Sequence, residues 1–525
     1  MKKNHNSILL VALATTLGLL AGGGWLLTRV TPGLMPSLTN VVGTGQLSPQ
    51  RTERIRVLGD TFSGYSTFRN AAFQEALSEV DIRLEYADEF DQAKRAEQLN
   101  RGNADIIVTT LDQYLQHQPN GKIAGLIDRT VGADAVVLNS KVRPTLTSLL
   151  ELNKLVEEAR SQNRKVGMAF AGDTPSEYLA LVLDTKFDNF NLDDFAVTRV
   201  ADASEAWQLM QDPSKNVAIA VIWEPYVTQA RQQGYTVVLS SQDAPRSIVD
   251  VVVASDRLLQ SRPEVVSELL EAYYRRIDVN VRDSSQLQTQ IAEDGGLDAE
   301  DAAAVMDGIE FFTAAEAHDW LTDGTLERRI EATAAVLVLA GRLNDVPGNM
   351  EQLMTVEAIA PAAQNTETLI ELVRADNPEL ADRLTGTQRS VTATAPNLQA
   401  AAVQSAPDIG NLQVRGEVKF ATGSAQLTGD SQQTLAQLSK EVAEFNVQTV
   451  AVRVIGHTSQ TGTAAFNQTL SQQRAQVVAN YLKRQGLQHN IVAEGQGFNQ
   501  PLSGVDPSDP SNQRTEIRLV RVGGT

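Results

Sequence analysis

Two stretches of this chain alternate short apolar runs with helical patterns, and that alternation limits the fold more than any other feature. Residues 55–58, 82–86 and 104–109 read as strands, with helices over 68–80 and 91–101 between them. Two strands that run parallel need a crossover as long as a helix, so the rhythm predicts a mostly parallel α/β sheet. A further strand is expected over 131–138. The rhythm restarts at 166–169, with strands over 195–200 and 217–222. A third strand, 249–254, reads as the crossing back to the first lobe. Helices follow at 263–279, 299–312 and 325–341, with more to about residue 384.

Sheets of this kind open a crevice beyond the C-terminal ends of their strands. Two loops of the first stretch should border it. One carries Asp60, Thr61, Ser63, Gly64 and Tyr65; the other carries Thr109, Thr110 and Asp112. In the second stretch Asp173 precedes Thr174, which fits a helix N-cap. Pro175 then takes the first helical position and Glu177 the third, the spacing of a capping box. Trp223 and Glu224 close the strand over 217–222. Asp60, Asp112, Asp173 and Glu224 are all acidic, and Arg69 is the nearest basic residue in sequence. An anion buried beside unpaired carboxylates is strongly disfavoured. The expected solute therefore carries an amine or other cationic group, with Tyr65 and Trp223 packed against it. The plainer alternative is that these acids cap helices and face water.

The same residues carry a resemblance. Gly64-Tyr65, Gly102-x-Ala104-Asp105 leading into Thr109-Thr110-x-Asp112, Gly132-Ala133-Asp134, Gly172-Asp173-Thr174 and Trp223-Glu224-Pro225-Tyr226 occur in order across residues 54–384. Together they resemble ABC-transporter solute-binding proteins of the nitrate/sulfonate/taurine type. The resemblance implies two α/β lobes, a hinge, a small solute closed between them and no catalytic activity. It also implies a permease as a partner.

A second pattern lies near the C-terminus. Val450, Val452 and Val454 alternate with Ala451 and Arg453 as in a half-buried strand. A polar turn follows, then a helix with Leu470, Ala475, Val478, Tyr481 and Leu482 at helical spacing, and Gly486 at the expected C-cap. Gly456, His457, Thr458, Asn467, Leu470, Ser471, Arg474 and Ala475 are similar to the core of OmpA-like domains, over about residues 412–522. The resemblance implies peptidoglycan binding, with Arg474 on a carboxylate of the stem-peptide diaminopimelate and Asn467 and Thr458 as polar contacts. Ser459 stands where the family has the turn aspartate that holds the ligand's ammonium. Gln513 replaces one arginine of the family's usual ending.

Residues 8–27 carry no charge and are about long enough to span a bilayer. Lys2 and Lys3 precede them, which places the N-terminus in the cytoplasm. A cleaved signal peptide is the alternative, with Ala21-Gly22-Gly23 a mediocre processing site. The expected order is an anchor or signal (1–30), a linker (31–53), a two-lobed periplasmic binding protein-like body (54–385), a second linker (386–411) and the OmpA-like domain (412–525). The chain would then sit in the bacterial inner membrane with its bulk in the periplasm.

Composition excludes several functions. A formal charge of −19 argues against nucleic-acid binding, which needs a basic footprint. The absence of cysteine excludes disulfides, thiolate metal sites and a cysteine nucleophile. Five histidines without H-x-x-x-H spacing make a zinc site unexpected, and no cofactor is implied. No Ser, His and Asp fall in a nucleophile pattern, so no enzyme is expected. A scaffold whose body docks a protein partner instead of a solute is the alternative function.

Overall fold

Strand composition separates the centre of each sheet from its edges. The computed structural model describes residues 52–523 apart from 387–394, 417 and 422. In the first sheet β1 (Glu53–Gly59) pairs in parallel with β2 (Ile82–Asp88) and β3 (Ile106–Thr110). Beyond β3, β4 (Gly121–Thr130) is reached through an antiparallel strand from later in the chain, β10 (Val249–Ser255). In the second sheet β5 (Asp134–Leu138), β6 (Val166–Ala171), β7 (Phe195–Val200), β8 (Val217–Trp223) and β9 (Thr236–Ser240) lie in the order β7-β6-β8-β5-β9. The apolar runs of β3, β5, β6 and β10 are buried along their whole length. Strands covered on both faces read as continuous apolar runs. Charged and exposed positions fall on the edge strands β2 and β7 and on the first half of β1.

The two sheets repeat one plan. The first runs β2-β1-β3-β10-β4, extended by β11 (Ile309–Phe311). In each, two strands flank the first of the lobe in parallel, and one antiparallel strand borrowed across the crossover lies beside the third. Each sheet is thus a lobe, and the chain crosses between them at 131–133 and 241–248. The expected return of 249–254 to the first lobe is met by β10.

Three expectations are corrected. The strand expected over 131–138 begins at Asp134, and the long strand before it is β4. The helix expected over 299–312 ends at Asp307, because Ile309–Phe311 leaves it to pair with β4. The second linker is structured in part: Ala400–Ser405 is a helix that buries Val403, and β12 (Asp408–Asn411) pairs with β15 (Thr515–Arg521). That pairing partner lies a hundred residues away, so local composition carries no trace of it.

The C-terminal sheet runs β12-β15-β13-β14, with β13 (Val450–Gly456) parallel to β14 (Ile491–Gly495) and antiparallel to β15. The helix Ala464–Arg484 lies across it. Gly456 permits that approach, since a Cβ there would collide with the Ser471 carbonyl. The anchor expected over 8–27 lies outside the described residues. Among the described residues no helix is long and apolar enough to cross a membrane.

Candidate functional site

Strand ends at the crevice bring together acids that the loops alone did not reveal. Asp128 lies two residues before the end of β4, Asp134 opens β5, and Asp250 sits in β10 opposite Thr110. All three are buried. No N–H or hydroxyl reaches either oxygen of Asp128. Its neighbour is the Asp250 carboxyl, near enough to share a proton. Tyr65 donates its hydroxyl to Asp250 Oδ1, and the hydroxyl of Tyr273 nearby has no partner. Burial first, then the neighbouring carboxyl, pushes Asp250 well above the usual carboxylate range. Burial likewise raises Asp128. Asp134 is pushed up to about 7, by burial first and then by Glu224 and Asp112. The signal for Asp134 and Asp250 was in the sequence: each is a single acid in a strand with no exposed position.

The residues expected from the loops take different roles. Asp60 is not free for a solute: its carboxylate pairs with Arg95 at 2.8 Å and accepts from the Phe62 N–H. Arg95 is wholly buried and also donates to the carbonyls of Val108 and Glu89. Arg69, the neighbour in sequence, bonds the Asp60 carbonyl and Asp294 instead. Thr109 bonds Gln92. Asp112 is buried beside the Gln113 amide and raised by that burial. Thr110 and Gly64 are buried, whereas Thr61 is exposed and Ser63 half-buried. Asp173 is exposed. Thr174 caps its helix at the Ser176 N–H, but Glu177 reaches back to the Asp173 N–H, so the capping box is displaced by one residue. Glu177 also pairs with Arg199 and Arg342.

Gly64 is where the first loop meets the acid pair. A Cβ there would collide with the Asp128 carboxylate and the Phe62 ring. Overpacking a buried site costs about 1–3 kcal/mol. Gly64→Ala is expected to destabilise the first lobe by that amount in urea unfolding; an unchanged midpoint would mean that the loop yields freely.

Open space lies to one side of these acids. A cavity of about 530 Å³ is lined by Gly132, Glu224, Arg231, Gln242, Asp307 and Arg521, among others. Of the solute-site residues expected from sequence, only Glu224 lines it. The Glu224 carboxylate accepts from the Thr228 N–H and hydroxyl at 2.9 and 3.0 Å, with Arg231 at 3.9 Å. Trp223, half-buried, does not line it.

The C-terminal domain places Arg474 in a second site. Its side chain is buried on the helix Ala464–Arg484. Nε donates to the Ser424 carbonyl at 3.0 Å and Nη1 to Gln513 Oε1 at 3.2 Å, and the guanidinium lies over the Phe420 ring. No carboxylate pairs with it among the described residues. Burial alone lowers its affinity for a proton. Gln513 passes on to Ser459 Oγ at 3.3 Å, and Ser459 meets the Thr461 hydroxyl at 3.1 Å. The described groups bonded to Arg474, and those they pass on to, are thus neutral. Thr458 is buried, with a hydroxyl that has no partner. Asn467 spends its amide on the carbonyls of Thr461 and Thr463, so it shapes the turn. Behind the turn, buried His457 lies 3.3 Å from Glu516, which Arg514 and Arg518 also hold.

Residues 419–515 match the OmpA family. Outer membrane protein A of Shimwellia blattae is 38% identical over 92 residues, 17% of this chain and 38% of that protein. Outer membrane protein P5 of Haemophilus influenzae is 36% identical over 109 residues, 20% of this chain and 30% of that protein. The chain therefore carries an OmpA-family domain at its C-terminus, and it spans about a third of the length of these relatives. Among solved structures, the alkanesulfonate-binding protein SsuA from Xanthomonas axonopodis pv. citri is similar over 59% of this chain and 98% of its own, at 14% identity and a TM-score of 0.42. The periplasmic nitrate-binding protein NrtA from Synechocystis PCC 6803 is similar over 62% and 90%, at 13% identity and a TM-score of 0.45. The desulfurization enzyme DszB is similar over 60% and 99%, at 13% identity and a TM-score of 0.42.

Proposed function

We propose that this chain is a non-catalytic protein of the cell envelope that grips peptidoglycan through its OmpA-family domain and takes a small amine-bearing solute between its lobes. The observation that carries the first half is Arg474: a buried guanidinium with N–H donors to spare and, among the described residues, no acid paired with it. A buried cation without a counter-charge is costly, and a planar fork of donors suits a carboxylate. Stem-peptide carboxylates of peptidoglycan supply that group. Ser459 and Gln513 offer only neutral contacts, so an ammonium on the ligand is held weakly.

Charge supports the second half. Asp128, Asp134 and Asp250 hold their protons above the usual carboxylate range because they are buried with no cation paired to them among the described residues, Arg95 being committed to Asp60. A cationic amine offsets them; an inorganic anion does not. Glu224, Asp307 and Arg231 give the adjoining cavity groups for an amine and a carboxylate, as in a zwitterion. The span over 8–27 would tether the chain in the inner membrane, next to a permease that receives the solute.

Amine binding needs ionised carboxyls, and burial pushes the Asp134 carboxyl up to about 7. Calorimetry with amino acids, polyamines, taurine, phosphate and nitrate is expected to find an amine that binds more tightly at pH 8 than at pH 5. Tight binding of phosphate or nitrate alone would overturn the solute assignment. The scaffold alternative draws on one feature, the helix Thr325–Leu339, which packs against Leu111–His117 of the first lobe and Pro175–Lys186 of the second. A screen with no amine bound at either pH would favour it.

A further inference from the structure

The OmpA-family domain is bonded to the body at three places, and one of them is a crossing between the lobes. Along residues 185–188 it joins the second lobe. Gln413 N–H donates to the Lys186 carbonyl and Asp188 N–H to the Asn411 carbonyl, both at 2.8 Å. Phe187 meets Phe445 edge-on, and Arg415 donates to the Thr185 carbonyl. At the crossing 241–248, Asn446 donates its N–H to the Asp243 carbonyl at 2.8 Å and its side-chain amide to the Gln242 carbonyl at 2.9 Å. Arg521 pairs with the buried Asp243 carboxylate and donates to the Val237 carbonyl at 2.6 Å. The third contact is Glu444 with Arg329, on the helix Thr325–Leu339 that touches both lobes.

We infer that the OmpA-family domain is a clamp on the hinge of the two-lobed body, setting how the lobes stand to each other. The contacts along 185–188 make the domain and the second lobe one body. The first lobe can then move only by turning about 131–133 and 241–248, and the domain holds the second of these. Asp243 also fixes the start of that crossing, accepting from the Ser240 N–H and hydroxyl. Turning the crossing away from Arg521 strands a buried carboxylate, which opposes the motion. Arg521 and Gln242 also line the 530 Å³ cavity beside the crossing. A ligand in that cavity and the seating of the C-terminal domain therefore act on the same residues. By linkage each changes the equilibrium of the other. A wall-bound domain under load would bias the lobes, and a filled cavity would bias the domain.

The chain has no cysteine, so spin labels can be placed at will. Glu75→Cys on the first lobe and Gln208→Cys on the second are exposed helix positions. Labelled full chain is expected to give one narrow distance between the lobes. Adding Arg521→Gln with Asn446→Ala is expected to broaden the distribution and shift it by more than ~2 Å, the scale of a genuine domain rearrangement. Glu444→Gln, which leaves the crossing untouched and frees Arg329, is expected to shift it in part. Circular dichroism reports whether each variant is folded. Distances that stay at the parent value in folded Arg521→Gln/Asn446→Ala or in folded Glu444→Gln would overturn the clamp.

Discussion

Replacing Arg474 with alanine is expected to abolish retention of the chain on peptidoglycan, with a loss of affinity of at least about 100-fold. Hydrogen bonds to a charged group contribute about 1.5–3 kcal/mol each. A carboxylate on the guanidinium makes two, so about 3–6 kcal/mol is at stake, and 1.4 kcal/mol is about tenfold. The loss should exceed that of an exposed arginine, because the Arg474 side chain is buried. Ser459→Asp is expected to act in the opposite direction on an amine-bearing stem peptide. It sets an acid beside Gln513, where Ser459 Oγ now accepts from the amide. Sedimentation with purified sacculi measures both. Retention of Arg474→Ala at the parent level would remove the basis for wall binding. A Ser459→Asp variant indistinguishable from the parent would mean that the ligand's ammonium lies elsewhere.

The second large effect is on stability. The Asp134 carboxyl is pushed up to about 7 in the folded chain, against 3.8 for an unperturbed aspartate. The folded state therefore holds a proton that the unfolded state has released between about pH 4 and pH 7. Stability must fall as pH rises through that window and level off above it. A tenfold change in proton affinity corresponds to about 1.4 kcal/mol, so a few kcal/mol are lost between pH 4 and pH 8. Asp128 and Asp250, raised for the same reason, act with the same sign. Glu516, held far below the usual range by His457 and two arginines, acts with the opposite sign but only in stronger acid. Asp134→Asn is expected to be more stable than the parent by a few kcal/mol at pH 8 and equal to it at pH 4, in urea unfolding of residues 52–525. Equal stability at both pH values would show that Asp134 ionises in place without penalty.

How much of this was legible beforehand depended on how far apart the partners lie in sequence. The strand–helix rhythm, the Thr174 cap with Pro175, and the Arg474 helix all rest on patterns within about twenty residues, and the structure keeps them. The displaced capping box at Glu177 shows the limit even there. Glu177 also serves Arg199 and Arg342, which no local rule counts. The pairing of Asp60 with Arg95 was missed because the sequence places Arg69 closer. The fold, however, brings Arg95 under the loop from the helix Gln92–Asn100, beyond β2.

By itself the sequence determined the elements and the kind of chemistry. Hydrophobic periodicity decides strand or helix locally, and a charge of −19 with no cysteine excludes whole classes of site. The tertiary structure alone decided which acids share the crevice, that β12 leaves the linker to pair with β15, and that Arg521 reaches back to Asp243. Those contacts join residues separated by tens to hundreds of positions. The free energy that selects among such pairings comes from burying surface and satisfying polar groups in the whole molecule, and no short window of sequence records it.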